Sequence, residues 1–285
     1  MIRVSTREEL RLALQHRPIE QRLALVPTMG NIHAGHLQLV NRARHEADYT
    51  AVSIFVNPTQ FDQADDFEHY PRTLEADLEK LAAAGVDLVF TPEPVHIYPH
   101  GETLLAQVEA PVAAAGLEGA HRPGHFRGVA TVVCKLFNLF QPDLAVFGKK
   151  DYQQLAVISA MVNELFQPVT IIAEETLREA DQLALSSRNS RLTAAERRKA
   201  PLLFATLQEV AEQIAVRNDY QTLEELALTK LKNEGFFVDY VTIRDRSLQP
   251  PGTGSHQLVI LAAATLGKVR LIDNLETEQP ETVVV

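Results

Sequence analysis

Two histidines separated by two residues, His33 and His36, are the side chains in this sequence best placed to do chemistry. They follow an apolar run at 23–26 and a turn that contains Gly30. This order predicts a buried strand, a turn, and a helix that begins at the two imidazoles. A helix N-terminus carries free N–H groups and partial positive charge, and Gly35 lets a ligand approach the backbone closely. The expected chemistry is therefore the binding of a nucleoside triphosphate.

Two other interpretations of the histidine pair stay open on these residues alone. The pair could be a helix cap and a surface residue, or it could bind a metal ion. No set of Cys or His residues at metal-ligand spacing accompanies the pair, and neither standard glycine-rich phosphate loop occurs in the sequence. The prediction of triphosphate binding depends on the placement of the two histidines between a strand and a helix.

Further polar clusters follow the other predicted strands, where an open α/β sheet builds its site. The amide groups of Gln60 and Gln154 can donate and accept, which suits a small substrate with hydroxyl and carboxylate groups. Lys150 and Arg188 can neutralise a triphosphate. The clusters comprise residues 57–61, 70–73 with Asp77, 148–154 and 185–189.

A structural role is an open alternative for several of these residues. Gln60 could satisfy loop backbone, and Asp151 is a suitable helix N-cap. Asp77 is expected to be a surface charge on a helix unless a metal ion is near. Ser186 and Ser187 could form a turn.

Strands and helices alternate in the first part of the chain. Apolar runs predict strands at 23–26, 51–56, 86–90, 143–148 and 169–175, and periodic patterns predict helices at about 35–47, 73–84, 127–140 and 151–165. This alternation predicts an α/β fold with a doubly wound, Rossmann-like parallel sheet.

The pattern changes after a polar stretch at 176–191. A capping box at Thr193 predicts a long helix to about Arg217, and a second box at Thr222 predicts another helix. Strand-like runs follow at 236–243, 258–264 and 268–275. We therefore expect domains at 1–176 and 177–285, the second a smaller α+β domain.

Composition excludes some classes of protein. Of the 285 residues, 46% are hydrophobic and 22% are charged, which is typical of a globular chain with a substantial core. A net charge of -10 argues against nucleic acid as the main partner. Cys134 is expected to be a buried, reduced thiol. Without a signal-peptide core or an apolar run of about 18 residues, the protein is expected to be soluble and cytoplasmic.

Five motifs occur in order along the chain. They are Pro27-Thr28-Met29-Gly30 with His33-x-Gly35-His36, Phe55-Val56-Asn57-Pro58-Thr59-Gln60-Phe61, Tyr70-Pro71-Arg72-Thr73, Gly148-x-Lys150-Asp151-Tyr152-Gln153-Gln154, and Ser186-Ser187-Arg188-Asn189. This set resembles the pantothenate synthetase, or pantoate–β-alanine ligase, family. The H-x-G-H pair alone is shared with many nucleotidylyltransferases and class I aminoacyl-tRNA synthetases. The five motifs together are much more specific.

The resemblance implies an ATP-dependent ligase that joins pantoate to β-alanine through a pantoyl adenylate, releasing pyrophosphate and AMP. It also implies Mg²⁺, a homodimer, a nucleotide- and pantoate-binding first domain and a lid-like second domain. His36, His33 and Lys150 are the implied catalytic residues. The implied ATP contacts are Met29, Gly30, Asn31, Ile32, His33, Ala34, Gly35, His36, Gly148, Lys149, Lys150, Asp151, Leu177, Leu185, Ser186, Ser187 and Arg188.

The remaining implied contacts concern the other substrates and the metal. Gln60 and Gln154 would bind pantoate, and Asp77 would contact Mg²⁺. The other implied substrate contacts are Asn57 and, for admission of β-alanine, Tyr70, Arg122 and His125. Lys149 departs from the family pattern, which often has an acidic residue at that position.

Other functions remain to be separated from this one by experiment. An adenylyl- or cytidylyltransferase with a different acceptor would not depend on Gln60 and Gln154 for pantoate affinity. An aminoacyl-tRNA synthetase is disfavoured because the acidic chain lacks an evident RNA-binding extension. A nucleotide-sensing regulatory protein would not release pyrophosphate when pantoate is added.

Overall fold

Apolar runs, most of them buried, form a parallel sheet in the first of two structural units. The computed structural model describes residues 1–61, 67–101, 106–252 and 254–279. The first unit comprises Met1–Gly148 and Gln153–Glu175, and the second comprises Lys149–Tyr152 and Thr176–Val285.

The sheet of the first unit contains six strands within the described ranges, all pairing in parallel. They are β1 Ile2–Val4, β2 Leu23–Thr28, β3 Tyr49–Ile54, β4 Leu88–Phe90, β5 Leu144–Gly148 and β6 Thr170–Glu174. The helices are α1 Arg7–Gln15, α2 Ala34–Glu46, α3 Leu74–Ala83, α4 Pro94–Ile97, α5 Leu117–His121, α6 His125–Phe140 and α7 Tyr152–Glu164, whose first residue belongs to the second unit.

The spatial order β1-β4-β3-β2-β5-β6 locates the expected site. From β2 the chain builds outward through β3 and β4, and it then returns to place β5 on the other side of β2. The strand order therefore reverses between β2 and β5. In such sheets ligands bind outside the carboxyl ends of the strands at this switch point.

Alternating side chains of β2 enter two different cores, because successive residues of a strand face opposite sides of a sheet. Leu23 and Leu25 pack with residues of α1, α6 and α7. Ala24 and Val26 pack with residues of α2 and α3. Both faces of the sheet are thus covered by helices, and the doubly wound α/β fold is confirmed.

The second unit contains an antiparallel sheet in the order β7-β8-β9. Its strands are β7 Phe237–Asp245, β8 Gln257–Leu266 and β9 Val269–Glu278, and its helices are α8 Ala194–Lys199, α9 Leu202–Ile214 and α10 Tyr220–Asn233. Residues of α9 and α10 form one core with the sheet. This is the smaller α+β arrangement that the sequence predicted.

Two helix predictions in this unit were wrong. Thr193 forms the predicted capping box with Glu196, but the helix ends at Lys199 and a new one begins at Leu202. Pro201 lies at the break, and proline cannot donate the hydrogen bond that would continue a helix. The cap of α10 is Asp219, whose side chain accepts from the backbone N–H of Thr222, so this helix begins earlier than the predicted box.

Two smaller expectations concern Cys134 and membrane spans. The Cys134 thiol is only partly buried, and its sulfur accepts from Gln167 Nε2 at 3.3 Å. Among the helices that the structure describes, none has the length and apolar character needed to cross a bilayer.

Candidate active site

The two histidines cap the helix that they were predicted to begin. His33 is the N-cap of α2, and its Nδ1 accepts from the backbone N–H of Gly35 at 3.1 Å. His36 Nδ1 accepts from the backbone N–H of His33 at a longer 3.4 Å. The two rings stack with their centroids 4.0 Å apart. The alternative of a helix cap is therefore correct for His33, and His36 completes the capping box.

This capping fixes which ring nitrogen carries the proton. A backbone N–H can only donate, so Nδ1 of each ring must be an unprotonated acceptor. In the neutral ring the proton is then on Nε2. Each imidazole keeps an N–H donor on the atom that the cap does not use, and such donors suit phosphate oxygens at a helix N-terminus. Capping and phosphate binding are compatible roles.

The turn before these histidines is held by Asp77 of α3. Gly30 and Asn31 both have positive φ, at 82° and 52°. Asp77 Oδ2 accepts from the backbone N–H of Asn31 at 2.8 Å, and Oδ1 accepts from that of Ile32 at 2.7 Å. Asp77 is 1% exposed, so the expectation of a surface charge was wrong.

The surroundings of Asp77 do not fit a direct Mg²⁺ ligand. Its Oδ1 accepts a second hydrogen bond from Thr73 Oγ1 at 3.1 Å, and the side chain is buried. Mg²⁺ usually keeps several water ligands, which a buried carboxylate pointing at backbone N–H groups does not accommodate. In the part of the chain that the structure describes, no cluster of three His, Cys, Asp or Glu residues could hold a metal ion.

A buried network surrounds Gln60, the expected pantoate contact at the end of the loop after β3. Asn57 Nδ2 donates to Gln60 Oε1 at 3.0 Å, and Gln60 Nε2 lies 3.1 Å from the sulfur of Met29. Tyr98 OH donates to Asn57 Oδ1 at 2.7 Å. Asn57 is 1% exposed and Gln60 is 8% exposed. These two contacts of the Gln60 amide are with side chains, and they orient it.

The first turn of α6 supports the backbone of the same loop. His125 Nδ1 lies 2.8 Å from the carbonyl oxygen of Gln60, and His125 Nε2 lies 3.2 Å from Arg122 Nη1. At Gly128, an added Cβ would lie 2.4 Å from the Thr59 carbonyl oxygen. The helix can approach the loop this closely because residue 128 has no side chain.

Tyr70 lies in an aromatic group beside the Gln60 loop. Its ring packs edge-on against Phe61, with centroids 5.7 Å apart. The Arg72 guanidinium lies 5.3 Å from the centroid of Phe67 and donates to the carbonyl oxygen of Tyr70 at 3.4 Å. The conspicuous Tyr-Pro-Arg-Thr motif therefore organises its own loop and, through Thr73, contacts Asp77.

In the second unit, β9 holds the lysine turn at Lys149–Asp151. Lys149 Nζ lies 2.7 Å from Glu276 Oε2, and Asn274 Nδ2 donates to the carbonyl oxygens of Lys149 and Lys150 at 2.8 and 3.1 Å. Tyr152 OH donates to Glu276 Oε1 at 3.0 Å. The unusual Lys149 is thus neutralised by a carboxylate of its own unit.

This cluster shifts two pKa values in opposite senses. Burial, followed by the negative charge of Glu276, raises the pKa of Tyr152. For Glu276, burial alone would raise the pKa, but the hydrogen bond and charge of Lys149 and the Tyr152 hydroxyl lower it below its ordinary value. Glu276 is therefore a carboxylate at neutral pH, and Tyr152 keeps its proton as a donor.

The second predicted ATP segment of this unit is a closed hairpin. The backbone N–H of Leu185 donates to the carbonyl oxygen of Leu177 at 2.8 Å, and Arg178 pairs with Ala184 in an antiparallel bridge. Ser186 caps the short 3₁₀ helix Ser187–Arg191 by accepting from the backbone N–H of Arg188. Ser186 therefore stabilises a turn, which is the structural alternative given for it above. Ser187 and Arg188 are exposed.

The structure joins one group of the predicted site residues by direct contacts. Met29, Asn57, Gln60, Arg122 and His125 form one network. Gln154 does not belong to this network. It is half-buried on α7, whereas the adjacent Gln153 is 3% exposed and donates to the carbonyl oxygen of Ala113 at 3.0 Å.

Four supporting residues were not singled out by sequence reasoning. Tyr98, Gly128, Lys80 and Asn274 act through partners at least 41 positions away. No local pattern indicates such a contact. The partner of Tyr98 is the Asn57 side chain. For Gly128, Lys80 and Asn274 the partner is a backbone carbonyl oxygen, that of Thr59, Ile32 and Lys149 respectively.

Comparisons with known proteins agree with this arrangement. The family model described as pantoate-beta-alanine ligase matches residues 3–276. The pantothenate synthetase of Thioalkalivibrio sulfidiphilus is 51% identical over 280 residues, covering 97% of this chain and 98% of that protein.

Two solved structures match nearly the full length of the chain. The pantothenate synthetase of Thermus thermophilus is 43% identical with a TM-score of 0.88, covering 98% of this chain and 100% of that one. The pantoate-beta-alanine ligase of Francisella tularensis, solved as a complex with beta-gamma ATP and beta-alanine, is 36% identical with a TM-score of 0.77, covering 96% and 97%. The chain therefore belongs to the pantoate–β-alanine ligase family, whose members are ligases that form pantothenate in an ATP-dependent condensation.

Proposed function

We propose that this chain condenses pantoate with β-alanine in two steps. The pantoate carboxylate attacks the α-phosphorus of ATP, forming pantoyl adenylate and releasing pyrophosphate. The β-alanine amine then attacks the activated carbonyl, an amide bond forms, and AMP leaves with the bonding electron pair. The capped histidine pair at the β2–β5 switch point is the observation that carries this proposal.

His33 and His36 would stabilise the charge that develops on the phosphoryl oxygens. Their capping leaves Nε2–H donors preorganised before substrate arrives, so no reorganisation is needed during the reaction. No protein nucleophile is required, because pantoate supplies the attacking oxygen. The contribution of the histidines is alignment and electrostatic stabilisation.

Gln60 would bind pantoate, with Gln154 and Asn57 as further contacts. The Gln60 amide is fixed on its oxygen side by Asn57, and its backbone is held by the loop contacts of α6. A fixed amide can offer its N–H donors to a hydroxyl or carboxylate at low entropic cost. Tyr70, Arg122 and His125 are the proposed contacts toward β-alanine, of which His125 also supports Gln60.

The second unit would contribute cations and backbone groups to ATP binding. Lys150 is the proposed catalytic cation, because Lys149 is already paired with Glu276. The remaining proposed ATP contacts in this unit are Asp151, Leu177, Leu185, Ser186, Ser187 and Arg188. The proposal treats Mg²⁺ as part of the ATP substrate, with phosphate and water oxygens as its ligands.

Three further features belong to the proposal. They are a homodimer, a cytoplasmic location and a lid role for the second unit. Sedimentation tests the dimer, and fractionation of the source cells tests the location. Small-angle scattering with and without ATP and pantoate tests the lid, and identical curves would reject a large closing motion.

Pyrophosphate release tests the central proposal. The wild-type chain should release pyrophosphate from ATP when pantoate is added, and AMP when β-alanine follows. His36→Ala should lower turnover by about 10²–10³-fold, the usual cost of losing one such donor. His45→Ala is the matched control, since His45 is exposed at the other end of α2. Pyrophosphate release at the same rate with and without pantoate, or wild-type turnover in His36→Ala, would reject the proposal.

A further inference from the structure

We infer that Asp77 and Lys80 of α3 are positioning residues that hold the turn at 30–32 and so orient His33 and His36, and that Asp77 is not a ligand of Mg²⁺. This inference rests on the proposed phosphate-binding role of the two histidines. It assigns to α3 a function in the reaction without contact to substrate.

The two side chains hold the peptide groups on both sides of one residue. Asp77 accepts from the backbone N–H groups of Asn31 and Ile32 at 2.8 and 2.7 Å. Lys80, one helical turn further along α3, donates to the carbonyl oxygen of Ile32 at 2.6 Å. Ile32 directly precedes the N-cap His33, and its side chain is 1% exposed. The residue before the histidine pair is therefore fixed at its amide, its carbonyl and its side chain.

The turn requires such support because of its backbone conformation. Gly30 and Asn31 are successive residues with positive φ, and only glycine adopts that region freely. Successive N–H groups in this kind of turn form a concave site for an anion. The carboxylate of Asp77 fills that site. Without this carboxylate, two backbone N–H groups would lose their acceptor. The hydrogen bonds that stabilise the positive-φ conformation of the turn would then be absent.

The same contacts argue against metal ligation. Oδ1 of Asp77 accepts two hydrogen bonds, from Ile32 and Thr73, and Oδ2 accepts one from Asn31. A carboxylate offers about four acceptor positions, so one remains, on a side chain that is 1% exposed. The ammonium group of Lys80 on the same helix further disfavours a divalent cation nearby.

The test compares Asp77→Asn with Asp87→Asn. Asparagine would turn an N–H donor toward one of the two backbone N–H groups, which breaks the turn while keeping the volume. Asp87 is the control because its Oδ2 also accepts a backbone N–H, that of Thr50 at 2.8 Å, at the amino end of β3. Both variants are checked by thermal unfolding before assay.

Four readouts separate positioning from ligation. In Asp77→Asn we expect the kcat of pantoate-dependent pyrophosphate release to fall about 10–100-fold, as for a displaced catalytic group. The KM for pantoate and the half-activating Mg²⁺ concentration should stay at the wild-type values. In the protein without substrate, the imidazole ¹⁵N signals of His33 and His36 should move in Asp77→Asn and stay unchanged in Asp87→Asn.

Other outcomes would overturn the inference. A raised half-activating Mg²⁺ concentration with kcat restored at saturating Mg²⁺, and unmoved histidine signals, would make Asp77 a metal ligand. Wild-type kcat and signals in Asp77→Asn, with His36→Ala inactive, would reject the inference and leave the proposed function standing. An active His36→Ala would reject the proposed function instead. If Asp77→Asn does not fold, Lys80→Met tests the inference instead, because methionine keeps the apolar stem and removes the donor to the Ile32 carbonyl oxygen. An unchanged kcat and unchanged histidine ¹⁵N signals in Lys80→Met would reject the inference.

Discussion

His125 Nδ1 lies 2.8 Å from the carbonyl oxygen of Gln60, which joins α6 to the loop that presents the proposed pantoate contact. A carbonyl oxygen only accepts, so Nδ1 carries the proton, and Nε2 presents its lone pair to Arg122 Nη1 at 3.2 Å. The ring is therefore neutral in this arrangement. It transmits the position of Arg122 to the backbone of Gln60.

His125→Phe should loosen this loop while keeping an aromatic ring in the buried position. The Gln60 carbonyl would lose its donor, which costs about 1–3 kcal/mol of stability for a buried acceptor. A misplaced Gln60 amide should raise the KM for pantoate about tenfold, the equivalent of 1.4 kcal/mol, with the KM for ATP unchanged. Initial rates at varied pantoate and a urea unfolding curve measure both effects.

Arg127→Gln is the control for this prediction. Arg127 is exposed on the same helix and pairs with Glu109 at 3.3 Å, an exposed pair that should contribute little. Equal KM values for pantoate in His125→Phe and Arg127→Gln would contradict the role given to His125.

Gly128→Ala tests the close approach of α6 to the same loop. Its Cβ would lie 2.4 Å from the Thr59 carbonyl oxygen and 2.8 Å from the backbone nitrogen of Gln60. Backbone atoms cannot rotate away, so the helix or the loop must shift, at a cost of about 1–3 kcal/mol. We expect a lower unfolding midpoint together with weaker pantoate binding. In the control Gly252→Ala, the nearest heavy atom lies 3.9 Å from the added Cβ, so this variant should have wild-type stability and pantoate binding. A Gly128→Ala variant as stable as wild type would contradict the prediction, because it would show that the loop moves at no cost in free energy.

The elements of the parallel sheet could be predicted because their signals are local. The run at 23–26 is buried on both faces of a central strand, and such strands are continuously apolar. His33 and Gly35 follow this strand after a short turn, so the strand–turn–helix unit could be placed to within a residue or two. The same holds for Lys149–Asp151 after β5.

The contacts of Asp77 and Lys149 could not be predicted from the residues near them in sequence. Asp77 looks like any acidic residue in the first turn of a helix, and only the fold brings residues 31 and 32 to its carboxylate. Lys149 looks like a second phosphate-binding cation, yet its partner Glu276 lies 127 positions later. Charge neutralisation by a distant strand is invisible until the chain is folded.

The two adjacent lysines should therefore respond differently to substitution. Lys150→Met should lower pyrophosphate release about 10²-fold, because it removes a cation proposed to stabilise phosphoryl charge. Lys149→Met should remove the 2.7 Å ion pair of Glu276, which keeps a longer contact with Arg246 at 3.9 Å. We expect a cost of about 1–3 kcal/mol of stability, with a smaller loss of rate. Parallel rate and urea-unfolding measurements on both variants check this. The reverse pattern would assign the phosphate contact to Lys149.

Glu276 should give the second unit an acid-sensitive component of stability. Its pKa is lowered on folding, since the hydrogen bond and charge of Lys149 and the Tyr152 hydroxyl outweigh burial. A group whose pKa is lower in the folded state stabilises the fold at pH values above its ordinary value. That contribution is lost as the pH falls through the folded-state value, because the carboxylate is then protonated in both states.

Glu276→Gln isolates this component from the other carboxylates. At neutral pH the variant should lose about 1–3 kcal/mol, the contribution of hydrogen bonds to a charged group. Below about pH 4, near the ordinary pKa of glutamate, the difference between variant and wild type should shrink, since protonated Glu276 resembles glutamine. Urea unfolding followed by circular dichroism at several pH values measures the difference. Glu278→Gln, an exposed position on the same strand, should show no such pH-dependent difference. A Glu276→Gln deficit that stays constant across this pH range would mean that its packing, and not its charge, stabilises the Lys149 turn.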